Sequence, residues 1–187
     1  MYLTTEGIKN RDEWERLGYK LPKYDVNAIS EKTLNSPEWI HFGCGNLFRA
    51  FQAKAADELL NKGVLDRGII AAEGFDCEIT EKILKPHNNL SLLVTLLPDG
   101  SAEKSVIGSI SASFSMSCEY PDDTGRLKEL FSAPSLKLAS FTITEKGYVI
   151  YDENSRPNKD VEADFNEGPS SPKSYMGKVA ALLLERF

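Results

Sequence analysis

Cysteine and histidine are too few and too far apart to suggest a disulfide framework or a zinc site. The three cysteines, Cys44, Cys77 and Cys118, are odd in number and widely spaced, and His41 and His87 are the only histidines. A disulfide scaffold needs paired cysteines, and a structural zinc site needs ligands at close spacing. The sequence therefore predicts no metal site, and the free thiols suit a reducing cytoplasm.

The chain also lacks a basic cluster and a long apolar run. Its formal net charge is −6 and its isoelectric point is about 5.1, whereas a nucleic-acid surface needs clustered Lys and Arg. Residues 1–6 lack the basic and apolar stretches of a secretory signal, and the apolar run 179–184 is too short to span a bilayer. We therefore expect a cytoplasmic protein that binds neither nucleic acid nor a membrane.

The order of apolar segments divides the chain into an arm and a domain. Residues 1–37 are polar, and we interpret them as an N-terminal arm with one short helix at 11–17. From residue 38 the pattern alternates between strands and helices, which favours an open, mostly parallel, doubly wound α/β sheet with one inserted β-hairpin. We predict strands over 39–42, 68–73, 90–97, 102–110 and 136–143, and helices over 48–60, 78–84, 124–131 and 175–187.

Two features of the C-terminal part complete this prediction. The acidic stretch 152–174 is rich in Pro, Ser and Gly, so we expect a long exposed loop there. The final helix has no Gly or Pro to end it, and a doubly wound sheet would normally continue with another strand. We therefore expect 38–187 to be a domain truncated before a further part of the protein.

A glycine turn between the first strand and the first helix is the most informative motif. Gly43 and Gly45 allow a tight turn and close approach of a ligand's diphosphate to backbone amides. Arg49, in the first helical turn, can add a charge-assisted contact. Phe48 stands where a dinucleotide fingerprint usually has a third glycine, so a turn that binds no ligand remains open as an alternative.

Carboxylates follow the second strand, where a dinucleotide-binding sheet holds the adenosine ribose. Glu73 closes the strand and Asp76 follows it. Either carboxylate can accept hydrogen bonds from the ribose hydroxyls and repel a 2′-phosphate, which favours NAD over NADP. Asp76 has a second interpretation, as the N-cap of the next helix.

Three motifs in order indicate a family. The segment 41–50, His-Phe-Gly-Cys-Gly-Asn-Leu-Phe-Arg-Ala, is followed by Gln52, then by Gly-Ser-Ile at 108–110 and by Thr-Ile-Thr-Glu-Lys-Gly-Tyr at 142–148. Together they resemble the long-chain mannitol dehydrogenase family, which includes mannitol 2-dehydrogenase, fructuronate reductase and tagaturonate reductase. The resemblance covers roughly residues 38–187.

The resemblance implies a two-domain, metal-independent NAD enzyme that interconverts a ketose or keto-uronate with its alcohol. Its N-terminal Rossmann domain would bind the cofactor, and a helical C-terminal domain beyond Phe187 would supply the catalytic residues and bind the sugar-derived substrate. The 187 residues alone are therefore expected to be inactive. The N-terminal region favours fructuronate over fructose as the substrate.

The resemblance also implies a set of cofactor-binding residues. Two further positions, Thr144 and Glu145, are expected to end the strand over 136–143, where such sheets bind ligands. Lys146 is interpreted as an exposed loop residue, because the catalytic base of the family comes from the other domain. The full predicted set is Gly43, Gly45, Asn46, Phe48, Arg49, Glu73, Asp76, Thr144 and Glu145.

Two other functions are compatible with a glycine turn followed by an acidic residue. A methyltransferase that binds S-adenosylmethionine has the same two features, but Leu47 stands where many of those enzymes have a further glycine. A noncatalytic module that binds a nucleotide is the second alternative, because no catalytic residue is predicted in the chain.

Overall fold

The computed structural model describes residues 1–117 and 119–187, so the third cysteine, Cys118, lies outside the described residues. The strands are β1 (Tyr19–Lys20), β2 (Trp39–Phe42), β3 (Ile69–Glu73), β4 (Ser91–Leu96), β5 (Ala102–Ile107), β6 (Ile110–Ser115) and β7 (Leu138–Phe141). The α-helices are α1 (Arg11–Arg16), α2 (Val26–Asn35), α3 (Asn46–Ala50), α4 (Gln52–Asn61), α5 (Pro121–Phe131), α6 (Glu145–Tyr148), α7 (Lys159–Glu167) and α8 (Tyr175–Arg186). A π-helical segment, Ile79–Leu84, and two 3₁₀ turns, Gly7–Lys9 and Lys85–His87, complete the chain.

A four-stranded parallel sheet in the order β6-β3-β2-β7 forms the centre of the structure. Its strands follow one another in the chain as β2, β3, β6 and β7, so the chain winds outward from β2 first to one side and then to the other. All five residues of β3 are buried, as expected for a parallel strand covered on both faces. The α/β class with a doubly wound, mostly parallel sheet is confirmed.

The alternation of side chains along the strands separates two apolar cores. Ile70 and Ala72 of β3 point to the face that α5 and α8 cover, together with Phe42 of β2. Ile69 and Ala71 point to the opposite face, which α3 and α4 cover. Burying these residues removes apolar area from water and stabilises the sheet between its two helical layers.

The inserted hairpin belongs to a second, smaller sheet in the order β1-β5-β4. β4 and β5 pair antiparallel around the predicted turn at Asp99 and Gly100, and β1 adds a parallel strand from the arm. The sequence prediction of an irregular arm was therefore wrong in part. The arm supplies β1 and the ten-residue α2, whose N-cap Asp25 accepts hydrogen bonds from the amides of Asn27 and Ala28.

The prediction of one strand over 102–110 was also wrong, because the chain changes sheets within it. β5 ends at Ile107 and β6 begins at Ile110, so Gly108 and Ser109 form the bend between the two sheets. A Cβ at Gly108 would lie 2.9 Å from Cγ2 of Val26, which shows how closely α2 packs on this bend. Gly108 and Ser109 interrupt the apolar residues at this bend, and that pair is the sequence signal that the prediction of a single strand passed over.

Two helical predictions are corrected in detail. The helix predicted over 48–60 is broken at Phe51 into α3 and α4, and the helix predicted over 78–84 is π-helical. The segment 152–174 is not all loop, because α7 lies within it. Asn158 caps α7 by accepting hydrogen bonds from the amides of Asp160 and Val161.

No helix in the described part of the chain is long and apolar enough to cross a membrane.

A buried carboxylate joins the arm to the central domain. Asp57 of α4 is 5% exposed and accepts hydrogen bonds from the Tyr24 hydroxyl, from the Gly108 amide at 2.9 Å and from Asn61 Nδ2 at 2.8 Å. Burial raises the pKa of Asp57, whereas the bond from Tyr24 acts in the opposite direction. The hydrogen-bond donors around Asp57 therefore stabilise the ionised form of its buried carboxylate.

Tyr24→Phe removes one of those donors and should lower the free energy of unfolding by about 1–2 kcal/mol, because a buried charged acceptor loses a partner. Urea unfolding followed by circular dichroism measures the change. Tyr151→Phe is the matched control, since Tyr151 is 56% exposed. Equal stability of both variants would contradict the role of Tyr24 as the anchor of the arm.

Candidate functional site

A small crevice opens at the carboxyl edge of the central sheet, where β2, β3 and β7 end. Its volume is about 160 Å³. Residues from all three strand ends and from the start of α8 line it, among them Gly43, Gly45, Glu73, Asp76, Thr144 and Tyr175. Open α/β sheets bind their ligands at this edge, next to the strand from which the chain winds in both directions.

Gly43 is confined in a way that only glycine tolerates. Its φ is +101°, and a Cβ built on it would lie 2.7 Å from the carbonyl oxygen of Thr142. Its amide donates to the carbonyl oxygen of Ala72 at 2.8 Å, so the turn touches the chain after β7 on one side and β3 on the other. A Cβ at Gly45 would meet no atom within 4 Å, so the turn is open on its outer side.

Glu73 holds this turn from below. Its side chain is buried, with one carboxylate oxygen accepting from the Cys44 amide at 2.8 Å. The other oxygen accepts from the amides of Gly74 and Phe75, each at 3.0 Å. Both oxygens are therefore engaged by backbone amides, and the carboxylate places a negative charge directly under the crevice.

Asp76 stands in a different environment from Glu73. It is exposed, lines the crevice and lies three residues beyond the end of β3. In the described residues its carboxylate makes no capping bond to the helical segment that follows, where Glu78 occupies the N-cap position. Of the two carboxylates that the sequence left as alternatives, Asp76 is the one with free acceptor capacity at the crevice.

The side chain of Phe48, one of the predicted cofactor-binding residues, lies in the interior. Its side chain is fully buried and stacks on the imidazole of His41 with ring centroids 4.1 Å apart. A side chain in that position packs the helix onto β2 and is not available to a cofactor at the surface. The large residue fits where a glycine is usual because its ring lies flat against His41 rather than between backbones.

His41 supports the turn as a neutral group. It is fully buried, and its ring nitrogens form hydrogen bonds with Ser140 Oγ at 2.7 Å and Thr142 Oγ1 at 2.8 Å. Burial lowers the pKa of His41 to about 4, so the imidazole is uncharged at neutral pH. It joins β2 to β7 through side chains as well as through the backbone ladder.

Asn46 and Arg49 lie on the outer side of the turn rather than in the crevice. Nη2 of Arg49 donates to Oδ1 of Asn46 at 2.6 Å, and Asn46 itself is exposed. Nε of Arg49 is buried without a hydrogen-bond partner in the described part of the chain. The guanidinium is therefore held beside the turn with one donor unsatisfied.

Thr144 and Glu145 do not end β7 as the sequence suggested. The strand ends at Phe141, and both residues are exposed at the start of the short helix α6. The chain leaves the sheet early because the carbonyl of Thr142 packs against Gly43. Thr144 still lines the crevice, so the structure brings it to the site although it places Glu145 outside the lining.

A second cavity of about 410 Å³ adjoins the crevice and carries positive charge. Lys146, Lys173 and Lys178 line it, and Asp160 is the acidic residue among them. Nζ of Lys178 donates to the carbonyl oxygen of Gly74 at 2.8 Å, which joins this cavity to the loop below the crevice. The sequence analysis missed this convergence because the lysines come from three separate segments.

The described residues contain no group of three or more His, Cys, Asp or Glu side chains placed to hold a metal ion. Glu73 and Cys44 are both buried at the glycine turn, and burial raises the pKa of the Cys44 thiol well above its usual value. Geometry and charge at the crevice thus fit the binding of a polar ligand to backbone amides.

Comparison with known proteins gives a consistent result, although no family model matches the chain. D-mannonate oxidoreductase of Thermotoga maritima is 46% identical over 187 residues, which is 100% of this chain and 34% of that protein. D-mannonate oxidoreductase of Escherichia coli is 30% identical over 176 residues, covering 88% of this chain and 33% of that protein. The chain thus spans about a third of the length of these relatives.

Solved structures show the same fold. Pseudomonas fluorescens mannitol 2-dehydrogenase, in a ternary complex with NAD and D-mannitol, superposes with a TM-score of 0.71 at 30% identity over 90% of this chain and 33% of that one. D-sorbitol dehydrogenase in a substrate-free form gives a TM-score of 0.72 at 27% identity, over 90% of this chain and 34% of that one. The family that the sequence motifs indicated is confirmed: the chain belongs to the long-chain mannitol dehydrogenase family, whose N-terminal third it matches.

Proposed function

We propose that the chain is the NAD-binding part of an oxidoreductase that interconverts a ketose or keto-uronate with its alcohol. The observation that carries the proposal is the glycine turn at the end of β2, fixed between β3 and β7 and open toward a crevice at the switch point of the sheet. The named relatives support it, since they are oxidoreductases of mannonate, mannitol and polyols.

The backbone of the turn and the side chain of Arg49 can both contact the diphosphate of a dinucleotide. The backbone at Gly45 can approach the diphosphate, because a Cβ built there would meet no atom within 4 Å, whereas the amides of Gly43 and Cys44 already donate to Ala72 and Glu73. Arg49 is placed beside the turn with an unsatisfied Nε, so it can add a charge-assisted hydrogen bond to a phosphate oxygen. We assign no cofactor contact to the side chain of Phe48.

The acidic end of β3 favours NAD over NADP. Asp76 is the residue we assign to the adenosine ribose, because it is exposed in the crevice and its carboxylate can accept from the ribose hydroxyls. A 2′-phosphate at that place would meet the charge of Asp76 and be repelled. A further relative is a polyol:NADP oxidoreductase, so the affinities for NADH and NADPH have to be compared by experiment.

The second cavity, which we call the lysine cavity because Lys146, Lys173 and Lys178 line it, favours a substrate that carries a carboxylate. Of the two substrate classes, ketose and keto-uronate, we therefore favour a keto-uronate such as fructuronate. Three lysines converge next to the crevice where the cofactor would lie, and they can attract an anion whereas a neutral ketose offers them no charge. The relatives named for mannonate support the same choice. We assign the catalytic residues to a C-terminal domain of the same protein and propose a cytoplasmic location.

Calorimetric titration with NADH, NADPH and S-adenosylmethionine under one set of conditions tests the proposal. We expect NADH to bind more tightly than NADPH, because the carboxylate of Asp76 opposes a 2′-phosphate. The absorbance of bound NADH should not change when fructuronate is added to this chain alone, since no catalytic residue is assigned to it. Tight binding of S-adenosylmethionine without binding of NADH would contradict the dehydrogenase assignment.

Asp76→Asn should weaken NADH binding about tenfold or more, because a charged acceptor of the ribose hydroxyls is lost. The preference for NADH over NADPH should narrow, and the melting temperature should stay unchanged because Asp76 is exposed. Asp122→Asn, another exposed position, is the matched control. Unaltered selectivity of the Asp76 variant would remove Asp76 from the ribose site.

Glu73→Gln should act on stability instead of selectivity. Gln replaces one carboxylate oxygen with an NH2 group, so at least one backbone amide that donates to Glu73 would face a donor instead of an acceptor, and the free energy of unfolding should fall by about 2 kcal/mol. NADH and NADPH should both bind more weakly, with their ratio kept. Chemical unfolding and the two titrations measure this, and a stable variant with changed selectivity would show that Glu73 holds the ribose.

A further inference from the structure

The hydroxyl of Tyr175 is a buried polar group without a hydrogen-bond partner. Tyr175 begins α8 and is only 8% exposed, and its oxygen has no partner in the described part of the chain. An unsatisfied hydroxyl in the interior destabilises the folded protein, because it has lost its hydrogen bonds to water without replacing them. A group kept in that state has the properties expected where a ligand brings the missing partner.

The position of Tyr175 is fixed by close packing under the crevice. A Cβ at Gly74 would lie 2.9 Å from Cε2 of Tyr175 and 2.7 Å from the terminal methyl of Met116, so the ring is pressed against the loop after β3. Tyr175 lines both the crevice of the glycine turn and the lysine cavity beside it. Tyr175 is thus shared by the two cavities, and its hydroxyl is buried.

The carboxylate of Glu73, which lines the same crevice as Tyr175, already accepts other hydrogen bonds. The oxygens of Glu73 accept from the backbone amides of Cys44, Gly74 and Phe75. Burial, and next the charge of Glu73, raise the pKa of Tyr175 far above its usual value, so the hydroxyl keeps its proton and can act as a donor. A ligand oxygen that enters the crevice would find this donor unoccupied.

We propose that Tyr175 is a cofactor-binding residue whose hydroxyl donates a hydrogen bond to a ribose or diphosphate oxygen of the bound nicotinamide dinucleotide. The inference rests on the proposed function, because it takes the crevice to be the cofactor site. The hydroxyl is shielded in the unliganded protein, so the ligand reaches it together with a small shift of the crevice wall. Phe75, which is 76% exposed, is the least packed part of that wall.

Tyr175→Phe tests the proposal, because it removes the oxygen and keeps the ring against Gly74. NADH affinity, measured by calorimetry on the whole chain, should fall about three- to tenfold, as the loss of one hydrogen bond predicts. The melting temperature should stay the same or rise, because an unsatisfied hydroxyl has been removed. Tyr24→Phe is the matched control: its hydroxyl bonds Asp57 away from the crevice, so it should lower the melting temperature and leave NADH affinity unchanged.

Each other outcome overturns the inference in a recognisable way. Equal NADH affinity of Tyr175→Phe and the unaltered chain would leave the cofactor site intact and show that the hydroxyl takes no part in it. A marked loss of stability in Tyr175→Phe would show that the hydroxyl already has a partner in the unliganded protein. Failure of the unaltered chain to bind NADH would remove the proposed function itself, and the inference with it.

Discussion

The geometry of the site depends on the close packing of the glycine turn between two strand ends. Gly43 lies against the carbonyl of Thr142 on one side and donates to Ala72 on the other, in a backbone conformation that a side chain would strain. The carboxylate of Glu73 completes the arrangement by accepting a hydrogen bond from the Cys44 amide in the same turn. Three separate strands therefore fix one turn, and the turn cannot move without disturbing the centre of the sheet.

Buried polar groups around the turn make this arrangement specific. His41 joins β2 to β7 as a neutral imidazole, and Glu73 joins the turn to β3 as a carboxylate among amides. Each group has its partners, so the desolvation that burial imposes is offset by hydrogen bonds. Five buried side-chain atoms in the described residues have no hydrogen-bond partner, and two of them, Nε of Arg49 and the hydroxyl of Tyr175, belong to the cofactor site that we propose. The satisfied groups hold the turn in place, and these two donors are the ones that we assign to the ligand.

Local sequence signals were sufficient for the elements that make the central sheet. The apolar run at β3 is short and closed by an acidic residue, and Gly43 with Gly45 marks the turn after β2, so both were predictable. The change of sheet at Gly108 was not, because a Gly-Ser pair between apolar residues is compatible with a bulge in one strand as well as with a bend between two sheets. Helix α7 escaped prediction because its acidic sequence buries Val161 and little else.

The candidate site was predictable in position and less so in detail. Spacing along the chain placed Glu73 and Asp76 at the right strand end but could not separate their roles, because the amide that occupies Glu73 comes from Cys44, which is 29 residues away. The burial of Phe48 depends on its stacking with His41 on β2, and the order of residues in the motif does not show which side chains stack. Long-range contacts decide these roles, whereas local patterns decide the elements.

A crystal structure of the chain with bound NADH tests the central claim most directly. The account predicts the diphosphate against the backbone of the turn at Gly43 and Gly45, with the adenosine ribose beside Asp76. A dinucleotide bound elsewhere on the surface, with the crevice at the end of β2 unchanged, would contradict it.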